Sequence, residues 1–427
     1  MSNITEKVLH DSDIETATND FKPILRFTVV SDVHIQRYND IRSRRMAKMF
    51  KTSYAIAQAD ENYKKLDGVI FAGDSADTGA GSQFMTFQSV LSANIKKGTQ
   101  PMVIIAKSHD CGSYKKSTLT FFETLSGLTT DYHHVLKGFH FIGISTTRDQ
   151  DTDVKYTGKQ LAWLDTQLAK AAAVAPGKPI FVAHHEHVAD TVYGSRESLG
   201  EGWGTPIFNE ILSKYPQIID FSGHSHYPIN DPRSIWQGDF TALGTASLDY
   251  FEFTVDDVRT VHPKNNSNAA QMWLVEADAN YRVRLRGYDL ISDNYICEYM
   301  IEKPSDKSTF AYTPEKIAAS SSAPVFAVDT AVEISQNITD KTYSVKIPAA
   351  HSTDGKIVFI YRVYVNDTAG TPAGNFWELS GYYFTPSPET VSVNIGKLKN
   401  GTYNLKIVAE NAYGMQSEPI TQNITVK

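Results

Sequence analysis

Five short apolar runs in this chain each lead into an Asp, a His or a Gly-Asp, and no other feature constrains its fold as tightly. The runs at 24–30, 69–72, 102–106, 180–183 and 218–221 are followed by Ser31-Asp32-Val33-His34, Gly73-Asp74-Ser75-Ala76-Asp77, Ser108-His109-Asp110, His184-His185-Glu186 and Gly223-His224-Ser225-His226. Side chains just past the carboxyl ends of strands converge on one rim of an α/β sheet. Asp32 and His34 stand two apart, so on an extended end they share a face and can grip one ion, and His224 and His226 repeat the spacing after Gly223, which lets the backbone turn closely. Asp74 can bridge two ions with its two oxygens, and His184 directly ends its run. Each residue alone has an ordinary reading, as a capping Asp or a hydrogen-bonded buried His. Together at strand ends they read as a binuclear metal hydrolase. Mixed carboxylates and imidazoles suit Mn, Fe or Zn, whereas Ca and Mg favour oxygen shells.

At 427 residues the chain exceeds one ordinary domain. A polar leader is expected over 1–22, an alternating strand and helix body over 23–302, a Ser/Ala/Thr/Lys/Pro-rich linker over 303–324, and a β-rich module over 325–427. The clearest helix signal is 158–168, with Leu161, Leu164 and Leu168 at helical spacing and Trp163 as a core residue. In the last module Asn400-Gly401 is a hairpin-turn dipeptide, after which Tyr403, Leu405, Ile407 and Ala409 alternate on one face. The stretch resembles the fibronectin type III module at Leu398, Gly401, Tyr403, Ala409, Asn411 and Gly414. That resemblance implies an all-β sandwich serving as spacer or as a binder of protein or carbohydrate, with Tyr361, Tyr364, Trp377, Tyr382 and Tyr383 expected mostly in the core.

The net charge of −7 argues against a nucleic-acid duplex as partner, because phosphate backbones demand clustered Lys and Arg. The basic cluster Arg42-Ser43-Arg44-Arg45 with Lys48 is expected to be a solvated helix face, the alternative being attraction of an anionic substrate. Cys111 and Cys297 form no disulfide framework. No apolar stretch is long enough to cross a bilayer, and the first twenty residues lack a signal-peptide pattern. The expectation is an extracytoplasmic or cell-surface bacterial protein whose signal was trimmed, with a cytoplasmic protein as the alternative.

The strand-end motifs resemble those of the calcineurin-like metallophosphoesterase superfamily across most of 23–302. The Gln160-Leu161-Ala162-Trp163-Leu164 helix with its downstream strand-His resembles the cyclic-nucleotide phosphodiesterase branch. The resemblance implies two packed mixed sheets flanked by helices. It also implies two transition metal ions, Mn and/or Fe with Zn as the alternative. One metal would take Asp32, His34, Asp74 and His226, and the other Asp74, Ser108, His184 and His224. Of the adjacent pair, His184 matches the ligand position and His185 the variable one. A water shared by two cations is activated for attack on phosphorus. His109 would protonate the leaving alkoxide as general acid, and Asp77 would orient His109.

Two positions depart from that pattern. The family's Gly-Asn-His-Asp is here Lys107-Ser108-His109-Asp110, which replaces an amide ligand by a shorter hydroxyl. Glu186 stands where many relatives have Pro. The expected activity is hydrolysis of small phosphodiesters, with cyclic nucleotides among the candidates. The alternatives are a phosphomonoesterase, or a surface binding protein with a weakened metal site. The purple acid type is disfavoured because its metal-bound Tyr falls where Asp77 stands. Every expected ligand precedes about residue 230, so the C-terminal module should be dispensable for chemistry unless it packs over the pocket.

Overall fold

The computed structural model describes residues 21–112, 118–146, 155–256 and 258–427. Most of the leader expected over 1–22 therefore lies outside the described residues. The catalytic body opens with strands β1 (Pro23–Val30), β2 (Gly68–Ala72), β3 (Gln100–Ile104), β4 (Tyr132–Leu136), β5 (Phe139–Gly143) and β6 (Ile180–Ala183). It continues through β7 (His187–Val188), β8 (Gly204–Thr205), β9 (Ile218–Ser222), β10 (Ile235–Gln237), β11 (Thr241–Gly244), β12 (Phe253–Val255), β13 (Val258–Val261), β14 (Gln271–Asp278), β15 (Val283–Asp289) and β16 (Asn294–Ile301). Two six-stranded mixed sheets result, ordered β16-β15-β14-β1-β2-β3 and β10-β11-β9-β6-β5-β4. These are the two packed mixed sheets flanked by helices that the motifs lead one to expect.

The central strands are apolar on both faces because both faces are covered. One face of β1 meets the opposite sheet, where the Phe27 ring lies 4.9 Å from Phe141 and 4.7 Å from Phe181. Val30 on the other face packs with Phe50 and Phe87 of the helices Ile41–Ala59 and Gly81–Asn94. Helix Gly158–Val174 covers the second sheet. A reciprocal cap between Thr157 and Gln160 starts it, and it buries Leu164, Leu168 and Ala171. Leu161 and Trp163 pack against the same cluster, as the helical spacing predicts.

Parallel pairing of β1, β2 and β3, and of β5, β6, β9 and β11, brings their carboxyl ends to shared rims. The expected basic cluster is spent on structure. Arg42 pairs with Asp249 at 2.8 Å, Lys48 with Asp293 at 2.9 Å, and buried Arg45 donates to the carbonyls of Leu248 and Asp249. Solvation of that helix face holds only in part, since Arg42 and Arg45 anchor the 248–249 loop while Arg44 stays exposed.

The C-terminal module is all-β. Strands β17 (Glu333–Gln336), β18 (Tyr343–Pro348) and β21 (Thr390–Gly396) form one sheet. Strands β19 (Val358–Asp367), β20 (Pro372–Leu379), β22 (Gly401–Asn411) and β23 (Ile420–Val426) form the other. Val345, Ile347, Val363, Val393, Leu405 and Ile407 fill the space between them.

The segment 303–324, expected as a linker, is packed against the catalytic body. The Gln237 N–H donates to the Tyr312 carbonyl at 3.0 Å, and the Tyr312 ring lies 5.1 Å from Tyr299. The two parts also share a core in which Phe251, Phe253 and Tyr227 meet Phe359, Tyr382 and Tyr383.

Candidate metal centre

Asp32, His34, Asp74, His224 and His226 all adopt positive φ, between 49° and 73°. Residues other than glycine enter this left-handed region rarely, and its concentration at one rim is local strain held by the surrounding fold. Backbone bonds supply part of that hold. The Asp32 N–H donates to the Gly73 carbonyl and the His34 N–H to the Asp74 carbonyl, each at 3.0 Å. The strand-end loops of β1 and β2 are thus zipped together beyond the sheet, and their side chains turn toward the loop after β9.

Three groups of donor atoms form there, the trios Asp32/His34/His226 and Asp74/His185/His224 and a more exposed set of His34, Asp77 and His109, the atoms of each lying within 4.8 Å of one another. In the first, His226 Nε2 is 3.1 Å from Asp32 Oδ1 and 3.2 Å from His34 Nε2. Asp32 Oδ2 accepts from the His224 N–H at 3.1 Å, whereas buried Oδ1 has no hydrogen-bond partner. In the second, His185 Nε2 is 3.1 Å from Asp74 Oδ2 and 3.2 Å from His224 Nδ1.

Each ring is oriented from behind. His185 Nδ1 faces the Ala72 carbonyl at 2.9 Å and His226 Nδ1 the Tyr250 carbonyl at 3.2 Å. A carbonyl only accepts, so a hydrogen sits on each Nδ1, and when a ring carries no second proton its Nε2 lone pair points into the cluster. That is the arrangement of a histidine prepared for a cation.

Electrostatics fit the same picture. Burial opposes ionisation of Asp32, yet the imidazoles of His226 and His34 hold its carboxyl well below the usual range. Burial likewise opposes charge on His34 and His185, but the carboxylates beside them raise both to about 10. Burial and then His185 push His224 down to about 4. Protons on His34 and His185 balance buried carboxylates here, so cation binding would release them. An orphaned carboxylate oxygen, converging imidazole nitrogens and buried negative charge together fit two cations.

The structure corrects the assignment of His184. Its Nε2 lies 2.9 Å from Asp220 Oδ1, its ring packs 4.3 Å from Phe208, and it faces away from both trios. Alternation explains the exchange. Val182 points to the helix-covered side and Ala183 to the space between the sheets, so His184 follows the first and His185 the second. Gly73 makes the room, since a Cβ there would come 2.2 Å from His185 Nδ1.

Asp77 stands beside His109, its carboxylate grouped with the rings of His34 and His109. Its carboxylate lies 3.8 Å from His34 Nδ1 and accepts from Gln36, while its backbone carbonyl is 2.7 Å from His109 Nδ1. Asp77 thus holds His109 through the main chain. Ser108 Oγ donates to Asp74 Oδ1 at 2.7 Å and the His109 N–H to the same oxygen at 3.1 Å, leaving Oδ2 for His185. Buried Asp110 accepts from the N–H groups of Ala76 and Ala106 and braces this loop.

Sequence reasoning missed two aromatic neighbours. Tyr250 lies 4.1 Å from the His226 ring and 5.9 Å from His34, and the Trp203 ring meets His224 edge-on at 5.0 Å. Neither sits in a motif, and only chain folding brings them to the rim.

The two-sheet α/β body thus gathers its Asp/His trios, candidates to hold metal, at one sheet rim. Residues 25–228 match the calcineurin-like phosphoesterase family, and this part of the chain is a calcineurin-like phosphoesterase domain. The matched segment contains both trios, and the family binds two metal ions. No curated protein matches the chain.

Solved structures resemble it at low identity. One is GAP50, the anchor in the inner membrane complex of Plasmodium, at 12% identity and TM-score 0.43, over 68% of this chain and 95% of that one. Purple acid phosphatase PPD1 from yellow lupin gives 13% identity and TM-score 0.45, over 66% of this chain and 54% of that one. The phosphopantetheinyl hydrolase PptH of Mycobacterium tuberculosis gives 12% and 0.31, over 52% and 89%.

Proposed function

We propose that the protein is a two-metal phosphoesterase acting on small phosphodiesters, with Mn and/or Fe as its metals. Asp32, His34, Asp74, His185, His224 and His226 would hold the ions, which supply an activated water and charge neutralisation at phosphorus. Ser108 would contribute through Asp74, whose carboxylate it fixes. His109 is the general acid of this proposal. Its ring is exposed and stands 4.5 Å from His34, with Nδ1 tied to the Asp77 carbonyl at 2.7 Å. That tie keeps a hydrogen on Nδ1 and leaves Nε2 to carry the proton delivered to a departing alkoxide.

The observation favouring a diester is the pair of half-buried aromatics flanking the site, Tyr250 against His226 and Trp203 against His224. A diester carries a substituent on each side of phosphorus, and both can rest against a ring. A monoester leaves one platform unused. The deciding experiment compares alkyl and aryl diesters, cyclic nucleotides and matched monoesters on metal-reconstituted protein. Preference for diesters supports the proposal. Faster turnover of monoesters overturns the substrate class, and no turnover of either with metal bound overturns the enzyme reading.

A further inference from the structure

At the other end of the first sheet an open pocket of about 450 Å3 is lined by Lys64, Lys65, Lys96, Lys97 and Lys137. It lies beside the amino ends of β2 and β3 and the turn between β4 and β5, whereas the metal-site loops leave the carboxyl ends. The five residues of β2 separate the two regions by roughly 16 Å at the usual strand rise. In a chain of net charge −7, five ammonium groups around one cavity reverse the local sign.

All five lysines are exposed. Lysine ion pairs among the described residues are made by others, Lys48, Lys155, Lys214, Lys307, Lys346 and Lys356. The one carboxylate of the lining, Asp67, is only 7% exposed. It accepts from the Tyr63 hydroxyl at 2.7 Å and the backbone N–H of Arg26 at 3.0 Å, and a single carboxylate against five ammonium groups leaves the lining with a positive surplus.

The lysine-bearing turns are fixed to one another. The Lys96 N–H donates to the Tyr54 hydroxyl at 2.8 Å, Tyr54 donates to Thr99 Oγ1 at 3.0 Å, and Thr99 donates to the Leu66 carbonyl at 2.8 Å. The Lys96 ammonium rests 4.4 Å over the Tyr54 ring. Like charges gathered within a Debye length repel one another, and a polyanion that bridges them relieves the repulsion. Ammonium groups on flexible stems suit oxyanions without the flat bidentate geometry that arginine demands.

We propose that this pocket binds a small, multiply charged oxyanion of the polyphosphate class, independently of the metal centre. Its volume falls in the range of small-ligand pockets. A single phosphate would compensate only part of the charge, so the ligand carries several negative groups in a row. Free polyphosphate and the phosphate tail of a nucleotide share this chemistry.

The test titrates tripolyphosphate into the chelated full-length protein by calorimetry, with lysine acylation mapped by mass spectrometry. One saturable site is expected, weakening as salt rises, with Lys64, Lys65, Lys96, Lys97 and Lys137 protected and Lys214 and Lys399 unprotected. The triple variant Lys64→Ala, Lys97→Ala, Lys137→Ala should bind about ten-fold or more weakly, since each ammonium lies within a Debye length of the anion. Its phosphoesterase activity should be unchanged. Adenosine triphosphate binding more tightly than tripolyphosphate, with the same footprint, supports the site and assigns a nucleotide. Weaker binding with that footprint supports free polyphosphate. Unaltered affinity in the triple variant, protection spread over all lysines, or sulfate binding as tightly as tripolyphosphate would overturn the proposal.

Discussion

The Tyr382 hydroxyl donates a 2.7 Å hydrogen bond to Asp231 Oδ2, joining the C-terminal module to the catalytic body across 151 residues. Asp231 is fully buried and also takes two bonds from the Arg233 guanidinium and one from its backbone N–H, and that guanidinium lies 3.7 Å over the Tyr193 ring and 4.4 Å over Phe359. Around this polar knot Phe251 and Phe253 pack on Tyr383, at 5.4 Å and 4.7 Å between rings. Tyr250, beside His226, precedes them in the chain, so the module supports the loop that carries this flanking aromatic.

Removal of the module after about residue 303 should therefore destabilise the catalytic body, contrary to the simplest expectation of a dispensable appendage. Each buried aromatic that becomes exposed costs about 1.5–3 kcal/mol. Tyr382→Phe isolates the polar contribution and should cost about 1–3 kcal/mol, the range for a hydrogen bond to a charged group. Chemical denaturation of the three proteins measures both effects. A shortened chain as stable as the whole would refute this account.

Exchange of the adjacent histidines gives a sharp comparison. His185→Ala should lower bound metal, because its Nε2 is in the Asp74 trio. His184→Ala should keep the metal but lose about 0.5–3 kcal/mol of stability, because it empties the space beside Phe208 and removes the imidazole that lies 2.9 Å from buried Asp220. Elemental analysis and unfolding curves separate these outcomes, and the reverse pattern would restore His184 as ligand.

His109→Ala should slow hydrolysis of alkyl esters about 100-fold or more while changing nitrophenyl esters much less. A phenolate departs without the proton that an alkoxide needs. Metal content should stay near that of the parent, and equal losses on both substrate types would count against a general acid at this position.

Ser108→Asn should tighten metal binding and raise turnover at limiting metal. In the parent, the Ser108 hydroxyl is engaged with Asp74 Oδ1. An amide carbonyl reaches further and can offer an oxygen to the ion as well. A metal titration in which affinity and rate both stay level would show that the hydroxyl suffices.

Glu252 supplies a pH prediction for the chelated protein. Burial pushes its carboxyl from 4.5 up to about 7, with His262 opposing and Asp32 adding to the rise. A raised folded value makes the native state bind the proton more tightly than the unfolded chain. The destabilisation is thus full above about pH 7 and relieved as pH falls toward 4.5. Glu252→Gln should stabilise by about 1–2 kcal/mol near pH 8, after allowance for screening, and change little near pH 5. A gain independent of pH would assign the effect to something other than this carboxyl.

Much of the architecture was legible from local pattern. An apolar run followed at once by Asp or His places that side chain at a strand end, and a spacing of two brings Asp32 and His34 into one trio, whereas His224 and His226 divide between the two. That signal is short-range, although left-handed backbone at Asp32, His34, His224 and His226, and not strand alternation, sets where they face. The choice between His184 and His185 is of another kind. Both end the same strand, and which one faces the site depends on which side of β6 the other sheet occupies.

A partial signal did exist. Asp220 interrupts an apolar strand and needs a partner, and its register opposite Val182 on β6 brings His184 within reach. That signal has meaning only once the two strands are known to pair. Tyr250, Trp203 and the Tyr382–Asp231 bond left no mark in any motif. They arise where segments distant in sequence pack together, and that packing is decided by burial of the whole chain, not by local pattern.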